Sequence, residues 1–398
     1  MPTPVRRPRV AVLSPFVDKR HGTERCLAEQ IERLSRTFDI HLYSSRVEDV
    51  DLTGITWHRV PALPGPHLFG YIWWLCANHF IRWRNAKFEG IAPDIIFSPG
   101  VNCLDADLVS VHVLFSKVRK QLDAGISSQQ NRVAAWPLIF HRRIYYRLIE
   151  FLENKVYGRE DIWLTAVSEK GAQDTRERFG QKKHLTVIYH GVDCVKFSPQ
   201  RRKNLRASAR AELNLTDDAF AVLFIGNDWR NRGLPCLLEA IAMLQNFRAQ
   251  VLVVGTDSPA PYHESIHKLG LAGRVSFLPS REDVEFYYAA ADAYAGPSLE
   301  DTFSLPPLEA MACGLPVITS RATGVSEIIH HGEDGLILED SSDAKTLSEW
   351  LTRLATDPVW SDRLGAAAAI TAAQYTWQRN SAQLQQVINS LIQTRIRV

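Results

Sequence analysis

Short β-branched runs alternate with stretches of helical period along this chain, and they do so in two successive sets. Parallel strands need a long crossover to return to the same edge of a sheet, and a helix usually supplies it. The alternation therefore predicts a parallel-sheet α/β protein. In the first half the strand candidates are Val10–Leu13, Asp39–Tyr43, Ile55–Val60, Asp94–Phe97, Leu108–Val111, Trp163–Val167 and Leu185–Tyr189. A helix between the first two, Thr23–Leu34, places Leu27, Ile31 and Leu34 on one face. The pattern breaks at Ser198-Pro199-Gln200-Arg201-Arg202-Lys203, which is polar, basic and carries a proline, so a linker is expected over 196–217. A second set follows: Ala221–Ile225, Gln250–Val254, Arg274–Leu278, Ala293–Ala295, Val317–Ser320 and Gly335–Leu338, with helices over Gly233–Leu244 and Thr346–Leu354. Two doubly wound, Rossmann-like domains facing a cleft are expected, one over 1–195 and one over 218–375, with a last helical segment over 376–398.

The 398 residues exceed a usual single core, which agrees with two domains. A net charge of +2 argues against a nucleic-acid partner, which calls for a basic face. Cys26, Cys76, Cys103, Cys194, Cys236 and Cys313 show neither a Cys-x-x-Cys pair nor a zinc spacing, so structural thiols in a reducing, cytoplasmic setting are expected. The N-terminal stretch lacks the apolar region of a signal peptide. The most apolar segment, Leu68–Trp83, is interrupted by Asn78, His79 and Arg82 and falls short of the ~20 residues of a membrane span. Residues 68–84 and 136–147 are both aromatic and basic. Two readings stand for them: rings at a membrane interface with cations toward anionic lipid, or core aromatics with a solvated basic rim.

The chemistry concentrates in Ala295-Gly296-Pro297-Ser298-Leu299-Glu300-Asp301-Thr302-Phe303-Ser304-Leu305-Pro306-Pro307-Leu308-Glu309-Ala310-Met311-Ala312-Cys313-Gly314-Leu315-Pro316-Val317. A strand ends at Gly296-Pro297, and a helix begins around Ser304–Pro307, where prolines are tolerated because first-turn amides have no partner inside the helix. It ends at Gly314, a residue suited to a left-handed C-terminal position. A helix start at the carboxyl end of a parallel strand offers N–H groups and partial positive charge to a pyrophosphate. Asp301 and Glu309 flank that place. Carboxylates beside a phosphate site call for hydroxyl partners, and sugar or ribose hydroxyls provide them.

This stretch resembles the donor signature of the retaining glycosyltransferases of family four, which have the GT-B fold. Their pattern is Glu, seven residues, Glu, then Ala-Met-Ala-x-Gly-x-Pro-Val. The resemblance implies that Glu309 holds the donor ribose and that the amides of Ser304 and Leu305 reach the diphosphate. Asp301 stands where the family usually has Glu, with Glu300 as the neighbouring alternative. Gly226-Asn227-Asp228-Trp229-Arg230-Asn231-Arg232-Gly233 is similar to the family loop that offers a pair of cations to the diphosphate. Arg232 takes the place of the usual Lys. Asn227 takes that of the usual Arg, with Arg230 as the candidate substitute.

In the first half, His21-Gly22-Thr23-Glu24-Arg25 resembles the family's Gly-Gly-Ala-Glu-Arg loop, where Gly22 would let the backbone approach the donor. Ser110-Val111-His112 resembles the strand-end histidine that hydrogen-bonds the donor sugar. His190 falls at the family's hinge and is assigned structure. Ser168-Glu169 is placed at the acceptor side, and Trp377–Thr394 resembles the tail that crosses back to the first domain. The resemblance implies transfer of a hexosyl unit from a UDP- or GDP-sugar to a hydroxyl on a glycan, lipid-linked or small-molecule acceptor. No cofactor and no metal are expected, since the sequence offers no clustered ligand set. Two alternatives stand beside this reading: another GT-B enzyme, a nucleotide-sugar epimerase or a phosphorylase, and a non-catalytic nucleotide-sugar sensor.

Overall fold

The computed structural model describes residues 6–20, 22–123, 136–244 and 249–396, with the backbone alone over 120–123 and 136–142. The chain divides into two compact units. Unit 1 holds the described residues up to Gly191 and those from Trp377 onward; unit 2 holds Val192–Thr376.

Unit 1 is built on strands β1 (Arg9–Leu13), β2 (Phe16–Val17), β3 (Asp39–Ser44), β4 (Arg46–Val47), β5 (Ile55–Arg59), β6 (Ile95–Pro99), β7 (Leu108–Val111), β8 (Trp163–Ala166) and β9 (Leu185–Val187). Seven of them form one parallel sheet in the order β5-β3-β1-β6-β7-β8-β9. These are the seven runs read from the sequence. The two-residue pair β2–β4, too short to carry a period, was not foreseen. Helices α1 (Gly22–Leu34), α2 (His67–Phe88), α3 (Phe115–Asp123), α4 (Trp136–Tyr157) and α5 (Glu169–Phe179) accompany the sheet.

Strand alternation sends successive side chains to opposite faces. Val10, Val12, Ile40 and Leu42 pack with Leu27 and Ile31 of α1. Ala11, Leu13, Val109 and Val111 pack with Leu152 and Val156 of α4. Both faces are covered, which is why these strands read as continuous apolar runs.

Helix α2 reverses the usual amphipathic arrangement. Its buried stripe is Trp74, Asn78, Arg82 and Asn85, while Phe69, Ile72, Trp73, Phe80, Trp83 and Phe88 are exposed. Each of these buried polar side chains has a hydrogen-bond partner, while Arg82 Nε itself makes no bond. Arg82 holds Asp105 through two hydrogen bonds of 2.9 and 2.8 Å, Asn78 donates to Trp74 O, and Asn85 meets His58 at 3.0 Å. Of the two sequence readings of residues 68–84, the aromatic core is therefore overturned for most of the rings, and so is the solvated rim for Arg82. In the second segment the side chains of 136–142 lie outside the described residues; Arg143, Ile144 and Arg147 are exposed.

Unit 2 contains α6 (Pro199–Glu212), β10 (Phe220–Ile225), α7 (Leu234–Ala242), β11 (Ala249–Val254), α8 (His263–Lys268), β12 (Val275–Leu278), α9 (Glu285–Ala290), β13 (Ala293–Gly296), α10 (Leu305–Ala312), β14 (Val317–Ser320), β15 (Leu336–Leu338), α11 (Ala344–Thr356) and α12 (Pro358–Ala372). Its six strands lie in one parallel sheet, β12-β11-β10-β13-β14-β15. The chain proceeds outward from β10 to β12, then returns to the other side of β10 with β13. The strand order thus reverses between β10 and β13, the position where doubly wound sheets bind ligands at their carboxyl ends.

The stretch expected as a linker is helical from Pro199 to Glu212 and belongs to unit 2. Ser198 caps it and Pro199 takes the first turn, where the missing N–H costs nothing. Its arginines have a definite task. Arg202, Arg206 and Arg210 donate to the carbonyls of Ala291, Ala291 and Ala290 at 3.0, 2.9 and 3.0 Å, satisfying the C-terminal end of α9. The last helix, α13 (Trp377–Ile396), packs on α1 in unit 1, where buried Gln30 donates to Asn380 at 2.9 Å.

Candidate functional site

Two loops meet at the strand reversal of unit 2. One follows β10 and runs from Gly226 to Gly233; the other follows β13 and runs from Pro297 to Ser304. Trp229 anchors the first loop, with its indole buried in the core, stacked on Phe277 and donating to Gly226 O at 2.8 Å. Asn231 ties the loops together: its Nδ2 donates to Glu300 O at 2.8 Å, and its carbonyl accepts from Leu299 N at 2.6 Å.

Between the loops, Arg232 Nη1 donates to Asp301 Oδ2 at 2.6 Å and to Ser304 Oγ at 2.8 Å. Burial works against the Arg232 cation, but the Asp301 charge and hydrogen bond prevail and raise its pKa. Gly226 makes room for this side chain: with φ of 134°, it would place a Cβ 2.6 Å from Arg232 Nε. Gly233, with φ of 85°, passes so close to the second loop that a Cβ would meet Pro297 O at 2.1 Å.

Ser304 precedes α10 with φ of 73° and ψ of 109°, a conformation that L-residues rarely adopt. Such strain costs on the order of 1–3 kcal/mol and gathers at functional places. The first turn of α10 contains Pro306 and Pro307, which have no N–H, so Leu305 supplies the amide donor at its start. Further along, Glu309 is buried and accepts a 2.7 Å hydrogen bond from Tyr288 Oη. Burial, then the Glu309 charge, raise the Tyr288 pKa well above the usual tyrosine range, so the phenol remains a donor.

The sequence-derived residues of unit 2 thus separate into a contact cluster and its flanks. Arg232 joins Asp301 and Ser304, and Gly226 and Leu305 border them. Glu309 lies one turn farther along α10. Arg230 is exposed on the same loop, and the bonds reaching Asp301 and Ser304 come from Arg232 instead. Asp301, rather than Glu300, presents its carboxylate to the arginine; Glu300 contributes its carbonyl to Asn231. Tyr288, Asn231 and Trp229 were not singled out by the sequence, because each acts through a partner distant along the chain or through the core.

Residues 20–196 match the family described as Glycosyltransferase Family 4, and residues 219–357 match that described as Glycosyl transferases group 1. The chain belongs to glycosyltransferase family four. Among curated relatives, D-inositol 3-phosphate glycosyltransferase of Streptomyces bingchenggensis is 31% identical over 58% of this chain and 53% of its own length. The chain spans about half the length of the curated relatives it matches. Among solved structures, sucrose-phosphate synthase from Thermosynechococcus elongatus superposes with a TM-score of 0.75 at 22% identity, over 98% of this chain and 100% of that one. The Anabaena HepE protein, in complex with UDP-glucose, gives 0.69 at 19% identity over 96% and 99% of the two chains. These likenesses establish the GT-B fold.

In this family-four chain the remaining sequence-derived residues lie in unit 1. Gly22 begins α1 and is exposed, while His21 lies outside the described residues. His112 follows β7 at its carboxyl end, is buried, and has its ring centroid 5.4 Å from that of His190. Burial lowers the His112 pKa to about 4 and, together with His112 and Arg25, holds His190 well below the usual range. Both imidazoles are neutral near pH 7. The structure brings His190, assigned to the hinge, against the histidine assigned to the donor sugar. All six cysteines are free thiols. No helix among the described residues is long and apolar enough to cross a membrane.

Proposed function

We propose that this chain transfers a hexosyl unit from a nucleoside-diphosphate sugar, a UDP- or GDP-sugar, to an acceptor hydroxyl, with retention and without a metal ion. The observation that carries this reading is the Arg232–Asp301–Ser304 cluster at the strand reversal of unit 2, beside the start of α10. A guanidinium, exposed Arg230 and the Leu305 amide at a helix start together form an anion site. Donors fixed in advance on a leaving diphosphate are typically worth about 2.7–4 kcal/mol each. Asp301 is read as the group that orients the hexosyl ring, and Glu309 as the acceptor for ribose hydroxyls. Neutral His112 offers a ring nitrogen to the donor sugar, and Gly22 leaves the backbone at the start of α1 open to the donor. The departing phosphate takes the acceptor proton. Complexes of the HepE protein with UDP and UDP-glucose support a uridine-diphosphate donor for this fold.

The acceptor is read as a glycan, in cell-surface or polysaccharide synthesis. The exposed aromatic face of α2, with Lys87 5.2 Å over the Trp83 ring, supports peripheral contact with the inner face of a membrane. The test is nucleoside-diphosphate release from UDP-, GDP- and ADP-sugars in the presence of glycan acceptors, with and without EDTA. Release should need both donor and acceptor and survive chelation. Loss on chelation, restored by magnesium or manganese, overturns the metal-free mechanism; no release with any donor overturns the transferase.

A further inference from the structure

Unit 1 contains a pocket of about 580 Å³ that none of the residues discussed for the donor explains. Its volume lies in the range of small-ligand sites, about 300–1,000 Å³. Its walls come from the segments that follow β1, β3 and β5: Pro15–Asp18, Ser45 and Arg46, and Pro61–Leu63. These are the carboxyl ends of parallel strands, the edge at which such sheets take ligands. The first turns of α2 close the pocket with Gly70, Trp73 and Trp74.

Trp73 is the informative wall. The residue is 42% exposed, yet its indole N–H is committed to Pro61 O at 2.8 Å, so the ring is held while part of it remains uncovered. Gly70, one turn earlier on α2 and also in the pocket wall, adds no side chain to the pocket. Phe16 and Leu63 add exposed apolar surface. The polar lining is carboxylate-rich: Asp18, Glu24 and Glu48 against Arg20 and Arg46. Both guanidiniums are already engaged, Arg46 with Glu48 at 2.6 Å and Arg20 with Asp49 at 3.1 Å. A phosphate entering here would have to compete with carboxylates for each arginine and meet further acids. Hydroxyl groups meet the same lining as donors to the carboxylates and acceptors from the arginines. A pyranose ring adds an apolar C–H face, which an indole face, with its negative quadrupole, attracts.

We propose that this pocket binds the acceptor as a neutral, hydroxyl-rich pyranoside laid on Trp73, to the exclusion of phosphorylated sugars. The assignment rests on the glycosyltransferase reading for its role as acceptor site. Its test is saturation-transfer NMR on the full chain with methyl glucopyranoside, mannopyranoside and galactopyranoside, each beside its 6-phosphate. At least one neutral glycoside should receive saturation on its ring C–H protons and its 6-phosphate should not. Trp73→Ala should cut that transfer roughly two- to tenfold, the worth of one aromatic face, and Trp73→Phe should retain part of it. Phosphorylated sugars binding as well as neutral ones, no glycoside binding, or transfer indifferent to Trp73→Ala would each overturn the proposal. Nucleoside-diphosphate binding to the parent chain is measured alongside. If the nucleotide binds and the glycosides fail, the pocket assignment falls alone; if no nucleotide binds, the transferase reading falls with it.

Discussion

Arg232 and Asp301 form a 2.6 Å ion pair between two loops whose strands, β10 and β13, are neighbours in the sheet of unit 2. Both side chains are largely shielded, at 23% and 20% exposure, so the pair is less screened than an ordinary surface bridge. The arrangement means that the cation proposed for the diphosphate rests on the carboxylate proposed for the sugar. An incoming donor must share Arg232 with Asp301, which couples diphosphate binding to the position of the sugar-orienting acid.

Glu309 and Tyr288 should behave as one unit toward the nucleotide. Glu309→Ala should weaken binding of the bare nucleoside diphosphate by roughly 1.5–3 kcal/mol, the worth of a hydrogen bond to a charged group. Tyr288→Phe, which removes the 2.7 Å bond that orients Glu309 together with a longer 3.3 Å bond to Pro306 O, should cost about 1 kcal/mol. In the Glu309→Ala background the tyrosine change should add nothing. Calorimetry on the two single variants and the double completes the cycle, and additive losses would show that Tyr288 acts elsewhere.

Ser304 holds a backbone conformation that glycine adopts without cost. Ser304→Gly and Ser304→Ala both remove the hydroxyl that accepts from Arg232, but only glycine relieves the strain. Urea denaturation should find the glycine variant more stable than the alanine variant by about 1–3 kcal/mol. Equal midpoints would mean that the loop carries no strain at this residue.

His112 makes stability depend on pH in a defined direction. Its folded pKa of about 4 lies below the ordinary 6.5 because burial penalises the cation. The unfolded chain therefore binds the extra proton first. The contribution is complete above pH 6.5, declines as pH falls toward 4, and is lost below it, on the order of 3 kcal/mol in all. Buried Glu153, raised to about 7 by burial, titrates in the opposite sense over an overlapping window. The useful quantity is thus the difference between the parent and His112→Asn across pH 4–7. That difference should shrink on acidification, and a constant difference would place the His112 proton elsewhere.

The aromatic face of α2 should bind lipid. Co-sedimentation with anionic vesicles is expected, weakened by salt through the loss of attraction to Arg84 and Lys87, and reduced by joint substitution of Phe80 and Trp83 with Ser. Equal indifference to anionic and neutral vesicles would leave this face to another partner.

The strands were legible because both faces of each sheet are covered, so Val10–Leu13 or Ala221–Ile225 reads as an uninterrupted apolar run. The site was legible where it coincides with chain order: Gly226–Gly233 and Pro297–Ser304 follow strands that the alternation identifies. What escaped depends on partners far apart in sequence. Pro199 reads as a break, yet it starts a helix whose arginines are fixed by the carbonyl end of α9, 80 to 89 residues away. Asn78 and Arg82 interrupt the apolar segment Leu68–Trp83, yet with Asn85 just beyond it they form the buried side of α2, held by Trp74 O, Asp105 and His58. Tyr288 lies in an ordinary apolar run, and nothing local marks it as the partner of Glu309.

The donor site is tested most directly by calorimetric titration of the parent, Arg232→Ala and Asp301→Asn with UDP, GDP and ADP. A donor site at the strand reversal requires one of these nucleotides to bind the parent and Arg232→Ala to weaken it roughly 10- to 100-fold. Asp301→Asn should bind the bare nucleotide at least as tightly as the parent, because the competing charge is gone. Binding indifferent to Arg232→Ala, or abolished by Asp301→Asn, would contradict a diphosphate held by Arg232.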